Sequence, residues 1–338
     1  MREAILTHLR ALVAIDSQNP PRASGPIADH LVALLRPAFT VDVRDLGDGS
    51  ISVLAQRGSP KILFNFHVDT VPCAPGWTRD PFSLAVDAEN AYGLGACDTK
   101  GAAAAMLAVA LSSDADAALL FTTDEEAGQG RCVKDFVARR PPFDVVVVAE
   151  PTSAKAVLAH RGVATGTMKF QCRAAHSSEG ASASATHALA RWVTTALAAA
   201  GAEARFNVGF VSGGVKPNVV AAEAEARFGV RPPSDQDPKL VLERLAALAP
   251  EAAFTHGFFG PPLREDPAAR AFAEAYSIAL GAAVDFWTEA SLFAAGGYTS
   301  IVLGAGSIAR AHGPDESAPL VDLDSLARVY ARVLGGVK

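Results

Sequence analysis

At 338 residues, half of them hydrophobic and one fifth charged, the chain exceeds one typical domain and reads as about two ordinary soluble domains with a sizeable core. A net charge of −6 argues against nucleic acid or an anionic membrane surface as partner, and the longest apolar run, 101–111, is too short to span a bilayer. Cys73, Cys97, Cys132 and Cys172 are scattered without a C-x-x-C pair; with an N-terminus unlike a signal peptide, they point to reduced thiols and a cytoplasmic location.

Residues 2–15 place Ile5, Leu9, Leu12 and Val13 at helical spacing. Asn19-Pro20-Pro21 breaks that helix, and 26–35 restarts one. Two strands, 41–44 and 51–54, flank the Gly47-Asp48-Gly49 turn. A buried strand over 62–66 runs into His67-Val68-Asp69, and a Pro- and Gly-rich loop covers 71–82. Gly93-Leu94-Gly95 then leads through Asp98 into an Ala-rich helix, 101–111. A strand over 117–122 ends in Asp124-Glu125-Glu126, a helix covers 131–139, and 145–148 is a buried strand. Phe66, Thr122 and Val148 are each followed by His or acidic residues, the arrangement expected at the carboxyl edge of an α/β sheet.

After Pro151 the order becomes strand 166–173, helix 186–200, strands 207–211 and 222–230, and helix 238–249. That order suggests a small α+β unit inserted into the larger domain, with Pro261-Pro262 as the return linker. A helix over 268–280, a strand over 300–303 and a closing helix over 325–334 complete the chain. The expected segments are thus a catalytic domain from 1–156 and 263–338, with a ferredoxin-like insert at 157–262.

His67, Asp69, Asp98, Glu125, Glu126, Glu150 and His312 form one constellation. Singly, each is more often a solvated loop residue; together, two imidazoles and several carboxylates suit Zn²⁺, Co²⁺ or Mn²⁺. Side-chain alternation puts His67 and Asp69 on one face, so that the carboxylate can orient a ligating ring. Asp98, just before a helix, is placed to bridge two ions, which sit roughly 3.5–4 Å apart in co-catalytic sites. Glu125 and Glu126 would be costly if buried without cations, and at a strand end they can point apart, one to metal and one to water.

HVDTVP, GLGACDTKGAAAA, TTDEE, AEPT and GAGSIARAHGPDE, in this order, resemble the M20 family of di-metal aminoacylases and peptidases over nearly the whole chain. DFWTEASLFAAGGYT, DEEAGQGRC and HRG are similar to its N-acetyl-L-citrulline deacetylase branch. The resemblance implies two divalent ions (Zn or Co), one held by His67 and Glu150, the other by Glu126 and His312, with Asp98 between them. It implies that Asp69 orients His67 and that Glu125 is the general base. His176 in RAAHSS matches the family's lid histidine, which stabilises an oxyanion, often in the partner subunit's site. Asn218 and Arg231 match positions that hold a substrate carboxylate, although Arg231, just before Pro232-Pro233, could equally be a surface residue. Trp287, Thr288 and Glu289 are expected to line the substrate pocket, with core packing as the competing account of Trp287. His8, His30, His187 and His256 read as structural or solvated, and His160 as a weak candidate for substrate contact.

The expected activity is removal of the acetyl group from N-acetyl-L-citrulline in arginine biosynthesis, with a homodimer formed through the lid. N-acetyl-L-ornithine is the alternative substrate; succinyl-diaminopimelate or dipeptide hydrolysis and a non-catalytic metal-binding relative are further alternatives. Nucleotide binding at Gly93-Leu94-Gly95 is rejected, because the fingerprint's third glycine is missing and Asp98 would repel a pyrophosphate.

Overall fold

The computed structural model describes residues 1–21, 24–128, 130–179 and 184–336. Helix α1 (Arg2–Val13) buries Ile5, Leu9, Leu12 and Val13, as their spacing requires. Helix α2 (Gly25–Leu35) follows, then strands β1 (Thr40–Asp45) and β2 (Ile51–Arg57), which pair antiparallel across the Gly47–Gly49 turn. Next come β3 (Ile62–His67), the short β4 (Ala85–Val86) and β5 (Asn90–Tyr92), α3 (Lys100–Leu111), β6 (Ala117–Thr122), α4 (Arg131–Arg139) and β7 (Val145–Val148). A βαββαβ run is formed by β8 (Val163–Gln171), α5 (Ala185–Ala200), β9 (Asn207–Gly213), β10 (Glu223–Val230), α6 (Pro238–Ala246) and β11 (Ala253–Gly260). The chain closes with α7 (Pro267–Ala275), α8 (Ala290–Ala295), β12 (Thr299–Val302), β13 (Ser317–Pro319) and α9 (Leu320–Leu334).

Two compact units result. The larger comprises Met1–Leu158, Glu265–Ala283 and Thr288–Lys338; the inserted one comprises Ala159–Arg264 and Val284–Trp287. In the larger unit a mixed sheet runs β1-β2-β6-β3-β7-β12, with β6, β3, β7 and β12 parallel and β2 antiparallel to both β1 and β6. Alternation along the strands splits the core. Phe64, Phe66, Leu119, Phe121 and Val147 belong to a cluster with the apolar stripes of α1 and α9 and with α3, which is buried all round; Tyr330 meets both Phe64 and Phe66 edge-on. Helices α4 and α8 meet through Phe136 and Phe293, and α8 packs on β7 and β12. Both faces of the sheet are therefore covered, as a largely parallel sheet demands.

In the inserted unit the sheet order is β11-β8-β10-β9, all antiparallel. Its inward face and the helices α5 and α6 enclose Met168, Phe170, Trp192, Phe228 and Leu242. Trp192 also donates its indole N–H to the Leu245 carbonyl at 2.9 Å, tying the two helices together.

Three sequence expectations need correction. Strand β11 was not anticipated: it is mostly exposed, and its register shifts between His256 and Phe259, around Gly257, which blurs the period-two pattern. The helix expected over 268–280 stops at Ala275, with Ser277 in a left-handed conformation at φ 48°. The closing helix starts at Leu320, because Leu320 and Leu323 extend its buried stripe backwards from Leu326.

Candidate active site

Strand β3 lies between β6 and β7, and all three run parallel. The connection after β3 leads to β6 on one side, whereas the chain after β7 returns to the sheet at β12 on the other, so a crevice opens between the carboxyl ends of β3 and β7. His67 closes β3, Asp124, Glu125 and Glu126 follow β6, and Glu150 follows β7. Local strand endings thus bring distant carboxylates together.

His67 is buried, and its Nε2 lies 3.0 Å from Asp98 Oδ1 and 3.9 Å from Glu150 Oε1. The other oxygen of Asp98, Oδ2, is 3.2 Å from His312 Nε2, which in turn lies 3.1 Å from Glu126 Oε1. One carboxylate therefore stands between two imidazoles, and each imidazole has its own glutamate. The donor atoms of His67, Asp98 and Glu150 lie within 4.8 Å of one another, as do those of Asp98, Glu126 and His312 and those of His67, Glu125 and Glu126. His312 takes φ 61°, a left-handed conformation uncommon for a non-glycine residue.

Charge decides what such a cluster can hold. Burial raises Glu125 well above the usual carboxylate range, and the neighbouring Glu126 adds to it. Glu150 is raised well above that range by burial and then by Asp98, and Glu126 is raised by burial against the pull of His312. Asp98 goes the other way: burial would raise it, but His312 and His67 hold it down. Burial would lower His67, yet Asp69, Asp98 and Glu150 outweigh that and raise it well above its ordinary value. Four carboxylates on two imidazoles leave the pocket short of positive charge. Oxygen and imidazole donors at this spacing fit a pair of divalent cations of the zinc or cobalt kind.

The surrounding residues fix these groups. His67 Nδ1 faces the Asp69 carbonyl at 3.2 Å, with the Asp69 carboxylate at 3.6 Å. Asp69 Oδ2 accepts from the Glu126 N–H at 3.0 Å and from Asn19 Nδ2 at 3.3 Å. Asn19 also donates to the Thr123 carbonyl at 2.9 Å, so the segment after α1 braces the site. Asp124 Oδ2 accepts from the Arg131 and Cys132 N–H groups at the start of α4. Thr99 Oγ1 donates to the His67 carbonyl at 2.7 Å. Lys100 is buried, its ammonium donating to the Ile15 carbonyl at 3.1 Å, and burial lowers its pKa to about 8.

Sequence reading named neither Asn19, Asp124 nor Glu316 as a site residue. An Asn before Pro20-Pro21 looks like a helix breaker, and Asp124 and Glu316 look like ordinary neighbours of named residues. The available signal for Glu316 was its place four residues after His312, in the same motif.

The remaining candidates fall into two groups, one beside this cluster and one in the inserted unit. Thr288 and Glu289 are buried at the start of α8; Glu289 accepts from Thr122 Oγ1 at 3.1 Å, and burial, then Asp124, pushes its pKa up to about 8. His176, Asn218, Arg231 and Trp287 belong to the inserted unit. His176 is exposed, with Nδ1 2.7 Å from Ser178 Oγ, and it bridges to Val219, which brings it beside Asn218. Arg231 is exposed, and its carbonyl accepts from Arg161 at 3.2 Å. Trp287 is half-buried, donating to the Pro261 carbonyl at 3.1 Å and packing edge-on against Phe258. His160 is buried, with Nδ1 2.8 Å from the Arg161 carbonyl.

A mixed α/β sheet with this cluster at its carboxyl edge defines a class, and comparison with known proteins names it. The chain belongs to Peptidase family M20/M25/M40, which it matches over residues 63–335. It is 46% identical to an N-acetyl-L-citrulline deacetylase of Xanthomonas campestris pv. campestris, over 98% of this chain and 97% of that protein. It is 32% identical to an acetylornithine deacetylase of Erwinia tasmaniensis, over 82% of each. Among solved structures, aminopeptidase PepT from Bacillus cereus shares the fold with a TM-score of 0.80 at 19% identity, over 100% of this chain and 99% of that one.

Proposed function

We propose that the chain is a di-metal amidohydrolase that removes the acetyl group from N-acetyl-L-citrulline in arginine biosynthesis. The observation that carries the metal assignment is Asp98, with one oxygen 3.0 Å from His67 and the other 3.2 Å from His312. The substrate assignment rests on the relative that is 46% identical over nearly the whole of both chains. His67 and Glu150 would hold one ion, Glu126 and His312 the other, and Asp98 would reach both. Zinc and cobalt suit these donors equally. Bound there, such ions supply Lewis-acid polarisation of the amide carbonyl and a water of lowered pKa.

The protein's own groups supply the proton traffic. Glu125, beside the ligands and held at a raised pKa by burial and Glu126, takes a proton from the attacking water. It delivers that proton to the amide nitrogen as the C–N bond breaks, and the water's second proton passes from the new carboxyl group to the amine, so that water and amide become acetate and an ammonium group. Asp69 positions the His67 ring and the Glu126 main chain.

In the inserted unit, we assign His176 to the developing oxyanion, Asn218 and Arg231 to the substrate carboxylate and Trp287 to the substrate pocket; in the larger unit, we assign Thr288 and Glu289 to that pocket. The inserted unit would serve as lid and dimer contact. Support for a dimer comes from edge strand β9, where Phe210 and Val211 are exposed. No helix among the described residues is long and apolar enough to cross a membrane; the proposed cytoplasmic setting is supported by the free thiols of Cys73, Cys97, Cys132 and Cys172.

N-acetyl-L-ornithine remains the competing substrate, favoured by the relative at 32% identity. A hydrolysis panel of N-acetyl-L-citrulline, N-acetyl-L-ornithine and succinyl-diaminopimelate tests the assignment. The highest kcat/KM should fall on the citrulline derivative; preference for the ornithine derivative overturns the substrate, and inertness towards all three overturns the activity.

A further inference from the structure

Glu316 is only 2% exposed, and its carboxylate points into the turn that carries Asp98. Oε2 accepts from the Gly95 N–H at 2.9 Å, while Oε1 accepts from the N–H groups of Cys97 at 2.9 Å and Asp98 at 3.0 Å. The Glu316 carbonyl accepts from the Gly93 N–H at 3.0 Å, and β13 continues this pairing along β5. Gly95 holds φ 79°, and a Cβ there would stand 2.7 Å from Thr70 Cγ2, so the turn folds this tightly only with glycine. One side chain therefore gathers three main-chain donors of the turn 95–98, and it stands four residues beyond His312.

We infer that Glu316 is a positioning residue that fixes the Asp98 carboxylate relative to His312, and so sets the spacing at which two cations can be held. The inference rests on the reading of Asp98 and His312 as metal ligands. Three main-chain hydrogen bonds converge on one buried side chain, and through them on the segment bearing the shared carboxylate. Thr99 Oγ1, donating to the His67 carbonyl at 2.7 Å, holds the same turn from the other side. Asp98 is thus fixed between the strand that carries His67 and the segment that carries His312. A carboxylate divided between two ions needs placement within about 0.5 Å. An amide in place of Glu316 offers one acceptor oxygen and an NH₂ that faces donors, so at least one of the three bonds is lost.

The test is zinc and cobalt titration of chelator-treated wild-type protein, Glu316→Gln and Glu316→Asp, with the melting temperature of each metal-free protein measured alongside. Glu316→Gln should bind the ions about 10–100-fold more weakly, as disruption of groups that orient ligands does, with a smaller metal-induced rise in melting temperature. Glu316→Asp keeps the charge but is one methylene too short for all three donors, and should lose affinity in the same direction. Wild-type affinity in a folded variant refutes the role of Glu316, as does a fall in metal-free melting temperature with affinity unchanged. If Glu316→Gln does not fold, the affinity of Glu316→Asp decides by the same criterion. Wild-type protein that binds no divalent ion refutes the metal site itself, a separate failure.

Discussion

The larger unit and the inserted unit solve opposite problems. At the site of the larger unit, His67, Asp98 and Glu150 are buried, and ionisable groups crowd one another at the ends of β3, β6 and β7. The inserted unit has an ordinary apolar core, Phe170, Trp192 and Phe228 against α5 and α6, and carries His176, Asn218 and Arg231 on its surface. The first arrangement costs stability unless cations offset it; the second is stable by packing alone. Buried, mutually unsatisfied charge therefore marks a prebuilt site, whereas exposed polar residues on a stable frame acquire a role only when a ligand meets them.

The contrast can be broken most forcefully at Glu125. Glu125→Gln should lower turnover by about 10²–10⁴-fold while retaining bound metal, and near-normal kcat would remove Glu125 from the mechanism. In the inserted unit an effect of that size should come from packing. Trp192→Ala should cost about 3–5 kcal/mol, read as a lowered denaturation midpoint. An unchanged midpoint would mean that the aromatic cluster does not hold this unit together. His176→Ala should reduce kcat by about 10²–10³-fold with little change in stability; an unaltered kcat would leave His176 as a solvated surface residue.

A further test concerns pH. Glu289 keeps its proton up to about pH 8 in the folded protein, against an ordinary value of 4.5. Between these values the unfolded chain has released the proton and the native chain has not. Stability therefore falls as pH rises through this window, by up to about 1.4 kcal/mol per pH unit from this group. In chelator-treated protein Glu289→Gln should flatten that decline, measured by urea denaturation from pH 5 to 8. A slope equal to that of the wild type would show that Glu289 ionises normally.

Most of the larger unit was legible because its signals are local. Ile5, Leu9, Leu12 and Val13 announce a helix, and apolar runs that end in His67, Glu125 or Glu150 announce parallel strands with chemistry at their ends. Strand β11 was not legible, since a bulged and mostly exposed strand carries little alternation. The braces of the site were hidden for another reason. Asn19 lies 50 residues from Asp69, and Glu316 lies 218 residues from Asp98, so nothing in their own neighbourhoods indicates what they hold. Ligands follow from residue type and spacing, but the groups that aim them follow only from tertiary contact. Likewise, hydrogen bonding from Thr122 to Glu289 depends on α8 meeting the end of β6, which no motif records.

The account turns on whether the Asp98 carboxylate is shared. Crystals grown with zinc and measured at its absorption edge would decide it. Two anomalous peaks are expected, one beside His67 and Glu150 and one beside Glu126 and His312, with an oxygen of Asp98 on each. A single peak, or none within reach of Asp98, would contradict it.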